Sequence, residues 1–152
     1  MSRAPRHELL EPDEWQAVNA LLMLNRALLS ELDGALRSEH GIAVTEFDVL
    51  ITLFNAPERR LGMSALAEQT MLSPAGTTHL VTRLERDGLV RREIDPADRR
   101  KAFTVLTQAG DAKLREARGT HNRVLRASFL AATTARERKT LGQVWRRLNA
   151  AS

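Results

Sequence analysis

The chain has 152 residues, 43% of them hydrophobic and 28% charged, with a formal net charge of +4. That suits one globular domain with its own core, or one domain with a helical extension. There is no cysteine, which excludes disulfides, thiolate metal sites and thiol redox sensing. No apolar run approaches the length of a bilayer span, and the opening MSRAPRHELLEPDEW lacks the apolar region of a secretory signal, so a cytoplasmic location is expected.

His7, His40, His79 and His121 lie far apart, with no pair at helical spacing, so neither a metal nor another cofactor is expected. Of the 23 basic residues only Lys101, Lys113 and Lys139 are lysine. Arginine's flat fork of donors suits phosphates and guanine edges. A GC-rich genome gives the same bias, and composition leaves both readings open.

Residues 1–12, with Pro5 and Pro12, read as a flexible arm. From Asp13 to about Ser38, Val18, Leu21, Leu22, Leu24, Leu28, Leu29, Leu32 and Leu36 recur at helical spacing and cover more than one face. Such a helix needs more than one packing partner, and a second copy of the chain can supply one. His40-Gly41 ends it. The next helix is expected to be capped by Thr45, to bury Phe47, Leu50, Ile51 and Phe54, and to stop at Pro57.

Leu61-Gly62-Met63 reads as a short extended piece. A third helix follows, capped by Gly62 or Ser64, with Leu66, Ala67 and Met71 inward. Ser73-Pro74 opens a fourth, because Ser is a favoured cap and Pro suits the first helical position. Its inner stripe is Leu80, Val81 and Leu84, and Gly88 closes it. Leu89–Ile94 and Lys101–Leu106 are strand candidates joined by the polar turn Asp95–Arg100, a hairpin. Thr107 caps a long helix towards residue 131, and Thr133 or Thr134 opens a last one holding Leu141, Val144, Trp145 and Leu148.

Two short helices joined by a tight turn form a helix-turn-helix arrangement, in which the second helix reads the major groove from its N-terminal part. With Leu80, Val81 and Leu84 inward, the outward set is Ala75, Gly76, Thr78, His79, Thr82 and Arg83, beside Ser73 and Pro74 at the start. Small side chains allow close approach to bases, and Thr, His and Arg can hydrogen-bond there. Gly76, Thr77 and Thr78 together cost about 1–2 kcal/mol of helix propensity relative to Ala, so something other than helix stability favours them. The hairpin tip carries Asp98, Arg99, Arg100 and Lys101. An arginine there suits a narrow minor groove, and the acid beside it would orient that arginine.

Leu72-Ser73-Pro74, Leu84-Glu85-Arg86-Asp87-Gly88-Leu89-Val90, Asp95-Pro96-Ala97-Asp98-Arg99-Arg100 and Leu106-Thr107-Gln108-Ala109-Gly110, in that order and spacing, resemble the signature of the MarR family of transcriptional regulators. The resemblance implies a mainly α winged helix-turn-helix fold with a small β-hairpin wing. It implies a DNA-binding region over 41–106, and helices at 13–40 and 107–152 that intertwine in a homodimer, with Trp15, Val18, Leu22, Leu141, Trp145 and Leu148 as candidate interface residues. It further implies a recognition helix from Ser73 to Arg86 and a minor-groove contact by Arg100 set by Asp98. Arg99, Lys101 and hydroxyls near the helix caps would contact phosphates. The double-stranded DNA partner would be a pseudo-palindromic operator and the role that of a repressor. A small lipophilic or phenolic effector would bind between the dimerisation helices and the DNA-binding lobe, where Asn25, Arg26, Leu29, Phe47, Leu50 and His121 are candidate lining residues. His79-Leu80 departs from the more basic or amide-bearing pair of many relatives, and Gly76 loosens the reading end of the helix. The competing reading is a dimeric winged module that binds protein. No nucleophile motif or phosphate-binding glycine loop supports an enzyme.

Overall fold

Capping groups and glycines fix most element boundaries. The computed structural model describes residues 10–150; most of the expected arm, residues 1–9, and residues 151 and 152 lie outside them. Helix α1 (Pro12–His40) is 29 residues long. Pro12 takes its first position, and the Glu14 carboxylate accepts the Glu11 N–H at 2.8 Å. Gly41, at φ 67°, follows the last turn.

The start of α2 (Val44–Asn55) departs from the expected Thr45 cap. Ala43 holds the cap position and has no acceptor of its own. Two carboxylates do the capping instead: Glu46 Oε2 accepts the Ala43 N–H at 2.6 Å, and Asp33 Oδ1, reaching from α1, accepts the Val44 N–H at 2.9 Å. Thr45 lies within the first turn. Pro57 follows the end of α2 and begins a 3-10 turn, Pro57–Arg59, in which Glu58 and Arg59 take φ values of 51° and 54°.

Strand β1 (Arg60–Gly62) leads into α3 (Met63–Gln69), for which Gly62 is the cap. Leu66 is buried there, but Met71 is not inward: it lies beyond the helix and is 55% exposed, while Leu72 packs on the core in its place. Helix α4 (Pro74–Arg86) begins at Ser73, whose Oγ accepts the Gly76 N–H at 3.1 Å. It ends at Gly88, where φ is 73°. Gly88 N–H donates to Glu85 O at 3.0 Å and Leu89 N–H to Leu84 O at 2.9 Å, a Schellman closure that a left-handed glycine permits.

Strands β2 (Val90–Ile94) and β3 (Ala102–Leu106) pair antiparallel, with Val90 opposite Leu106 and Ile94 opposite Ala102. β1 adds to the other edge of β3, Arg60 opposite Val105, giving a three-stranded sheet in the order β1-β3-β2. Thr107 caps α5 (Gln108–Leu125), accepting the Gly110 N–H at 3.0 Å. A Cβ at Gly110 would lie 2.0 Å from the Leu89 carbonyl oxygen, so glycine there lets α5 close against the exit of α4. A π-turn (Arg126–Leu130) precedes α6 (Ala135–Ala150). Of the two expected caps, Thr134 is the one used: its Oγ accepts the Glu137 N–H at 3.3 Å and Glu137 returns a bond to the Thr134 N–H at 2.7 Å.

The core gathers Leu36 of α1, Phe47, Leu50 and Leu53 of α2, Leu66 of α3, Leu80, Val81 and Leu84 of α4, and Leu114 and Ala117 of α5. Ile51 and Phe54 pack beside it half-buried, and Val49, absent from the expected stripe, is fully buried. The terminal helices differ. Only Leu32 and Leu36 of α1 are buried, α6 buries no residue, and Leu21, Leu22, Trp145 and Leu148 are each about 60% exposed.

Candidate nucleic-acid interface

Helices α3 and α4 are joined at residues 70–73, and this turn is tied to α2. Asp48 Oδ2 accepts the Met71 N–H at 3.0 Å. Burial pushes the Asp48 carboxyl up from its ordinary value, against the lowering effect of that bond. From the turn, α4 turns Thr77, Leu80, Val81 and Leu84 inward. Ser73, Pro74, Ala75, Thr78, His79 and Thr82 are exposed, while Gly76 and Arg83 are half-buried.

The threonine hydroxyls of α4 bond backwards along the helix: Thr77 to Ser73 O at 3.0 Å, Thr78 to Pro74 O at 3.1 Å, Thr82 to Thr78 O at 3.0 Å. Thr77, noticed in the sequence only for its poor propensity, is fully buried. Arg83, expected among the outward set, turns its fork across to α2, where Glu46 Oε1 accepts Nη2 at 2.6 Å and Nε at 3.1 Å. Arg92 of β2 is a residue that sequence reasoning missed. Its Nη2 donates to Thr82 Oγ at 2.8 Å, and Glu85 accepts both its Nη1, at 3.1 Å, and its backbone N–H, at 2.9 Å. The alternation of β2 puts it on the same face as the buried Val90, but nothing in the sequence pairs that face with α4.

The hairpin tip is organised by two aspartates. Asp95 Oδ1 accepts the Ala97 N–H at 2.8 Å. Asp98 Oδ1 accepts the Arg100 N–H at 3.1 Å and the Arg100 Nε at 3.3 Å, while Lys101 Nζ stands 3.9 Å from Oδ2. The Arg100 side chain is 92% exposed. Arg99 and Lys101 are also exposed. The Asp98–Arg100 contact leaves the guanidinium solvent-facing and restricts where it can point. A cleft of about 480 Å³ separates this end of the hairpin from α3, with Ser64 on one wall and Arg100 and Lys101 on the other.

The six candidate effector residues are not gathered in the same way. Phe47 and His121 stack, ring centroids 4.4 Å apart and planes inclined by 17°. Leu50 is part of the core, Leu29 is half-buried, and Asn25 and Arg26 lie exposed on α1. The contact between α1 and α5 is instead polar at its end. Thr120 Oγ donates to Glu39 at 2.7 Å, which leaves it to accept from His40 Nε2 at 2.9 Å. That bond, with the Arg123 guanidinium, holds the Glu39 carboxyl below its ordinary value. Among the described residues no group of three or more possible metal ligands comes together, and no helix is long and apolar enough to cross a membrane.

Residues 42–102, from the end of α1 through the hairpin turn to the start of β3, match the model of the MarR family. The HTH-type transcriptional regulator YkoM of Bacillus subtilis is 31% identical over 106 residues, covering 68% of each chain. The MarR family regulator Sco3205 of Streptomyces coelicolor, solved in complex with DNA, superposes with a TM-score of 0.88 at 30% identity, covering 97% of this chain and 91% of that one. AbsC, another MarR family regulator of Streptomyces coelicolor, gives 0.85 at 29% identity, covering 94% and 96%. With a DNA-bound neighbour alike over almost its whole length, the chain belongs to the MarR family of transcriptional regulators.

Proposed function

We propose that the chain acts as a homodimeric repressor on a pseudo-palindromic operator. The helices at 13–40 and 107–152 would join the two copies, and the region 41–106 would bind DNA. Each α4 enters a major groove, the two roughly one helical turn apart, while each Arg100 probes the flanking minor groove. The observation that carries this reading is the pairing of an acid-free exposed helix face at Ser73–Thr82 with an exposed arginine preset by Asp98. Sco3205, the neighbour solved with DNA, supports it. Arg99 and Lys101 would contact phosphates, adding salt dependence but not sequence.

Selection of bound duplexes from a random pool tests the proposal. Two inverted half-sites about 10 base pairs apart, centre to centre, are expected; a single unrepeated site, or no enrichment, counts against it. Retention on heparin with a steep salt slope separates this reading from a protein-binding winged module.

Effector response is part of the same proposal. A small lipophilic or phenolic anion would enter by parting the Phe47–His121 stack and would act only if it favours one dimer geometry over another. Release of the selected operator by such acids, lost in His121→Ala, is the expected result.

A further inference from the structure

Thr78 and Thr82 lie on the exposed side of α4, one turn apart, and both direct their hydroxyl protons inward. Thr78 Oγ donates to Pro74 O at 3.1 Å and Thr82 Oγ to Thr78 O at 3.0 Å. A hydroxyl has one proton, so neither retains one for DNA. At Thr82 the oxygen is occupied again, because Arg92 Nη2 donates to it at 2.8 Å while Glu85 holds the rest of that guanidinium. The back-bond also fixes the side-chain rotamer. Thr78 therefore offers a lone pair and a methyl group, and Thr82 chiefly a methyl. Ala75, exposed three residues before Thr78, adds a methyl and no polar group.

The major groove distinguishes what such a surface can match. Guanine presents only acceptors there, N7 and O6, and needs a donor from the protein. Adenine presents the N6 donor, and its partner thymine the 5-methyl group. Cytosine presents an N4 donor but no methyl. We propose that this part of α4 reads A·T pairs, with Thr78 accepting from adenine N6 and the methyl groups of Thr78 and Thr82 packing on thymine 5-methyls. Arg92, off the helix, is then a positioning residue that withdraws the Thr82 oxygen from the DNA. The inference rests on the proposal that α4 enters the major groove.

The test uses the full chain and a selected duplex, with deoxyuridine replacing thymidine in the half-sites, and reads affinity by fluorescence anisotropy. Affinity is expected to fall about fourfold for each contacted methyl lost, the usual worth of a buried group of that size. Thr78→Ser keeps the hydroxyl and loses the methyl, so it should discriminate less between the two duplexes than the wild type does. Equal affinity of the wild type for both duplexes overturns the proposal, and undiminished discrimination by Thr78→Ser overturns the assignment to Thr78. Because the chain has no cysteine, Ala75→Cys bearing an aryl azide photocrosslinker reports groove placement separately. Cross-links to half-site bases together with equal affinities leave α4 in the groove and sink the methyl reading alone. No cross-link to DNA sinks both.

Discussion

Glu46 Oε1 accepts two bonds from Arg83, at 2.6 and 3.1 Å, while Glu46 itself is buried beneath the first turn of α2. Its other oxygen accepts the Ala43 N–H, so one carboxylate both caps α2 and ties α4 to it. Removing the cation leaves that buried charge poorly compensated. Arg83→Met is expected to lower stability by about 1 kcal/mol, near the lower end for a bond between charged groups because the arginine is partly solvated. Urea denaturation measures this. The selected operator should keep its sequence, since Arg83 acts on helix placement; a changed preference at one base position would instead make Arg83 a reader.

The wing separates contact from orientation. Arg100→Ala should cost on the order of 1–3 kcal/mol of operator affinity and flatten any preference in the flanking minor groove. Asp98→Ala should cost less, because the guanidinium remains but must be ordered on binding. Arg100→Ala should not move the urea midpoint appreciably, its side chain being 92% exposed, whereas Asp98→Ala removes the acceptor of the Arg100 N–H in the turn and should lower it slightly. Anisotropy titrations of both variants check the order; wild-type affinity in Arg100→Ala would remove the wing from the interface.

Much of this fold was legible because it rests on local signals. Ser73-Pro74, Gly88 and Thr107 mark their boundaries by their own side chains or φ preferences. What escaped was non-local. The α2 cap comes partly from Asp33, 11 residues upstream of Val44 on another helix, so no inspection of 43–46 alone finds it. β1 was readable as extended, but its pairing with β3 spans more than forty residues. In the candidate site, helical periodicity gave the outward set of α4, yet periodicity cannot show that Arg83 is bonded to Glu46 or that Arg92 reaches Thr82. Met71 failed for a related reason: the helix ends at Gln69, and a helical repeat carried past its end points the wrong way.

Asp48 gives a pH signature. Burial raises its carboxyl in the folded state above the unfolded value, so ionisation costs stability. The cost is complete above the folded pKa and is relieved as pH falls through it. Asp48→Asn keeps an acceptor for the Met71 N–H without the charge. It should therefore be more stable than wild type at pH 8, with the gain shrinking towards acid. Thermal melts across pH report it, and a constant or negative difference would contradict it.

Asp33 has the opposite sign. The bond from the Val44 N–H, reinforced by Arg37 and opposed by burial, holds its carboxyl below the ordinary value. Its contribution is present above the unfolded pKa and lost as pH falls through the folded one. Asp33→Asn should lower stability at pH 7 and flatten the acid limb of the stability curve. Equal acid limbs in the two proteins would show that Asp33 does not couple α1 to the start of α2.

The apolar exposure of the terminal helices bears on assembly. Trp15 is 59% exposed, Val18 44%, Leu22 58%, Leu141 42%, Trp145 64% and Leu148 61%, on helices that add little to the core of the single chain. Water contact over that much apolar surface is unfavourable, and a second copy burying it would recover about 25 cal/mol per Å² before the costs of association. Leu22→Asp and Trp145→Asp place a charge at such an interface, whereas the core residues from Leu36 to Ala117 are untouched. Each variant should sediment as a single chain at micromolar concentration, keep its helical circular dichroism, and lose operator affinity by a hundredfold or more because the two half-sites are no longer engaged together. Dimeric sedimentation with wild-type affinity in both variants would move the interface away from α1 and α6.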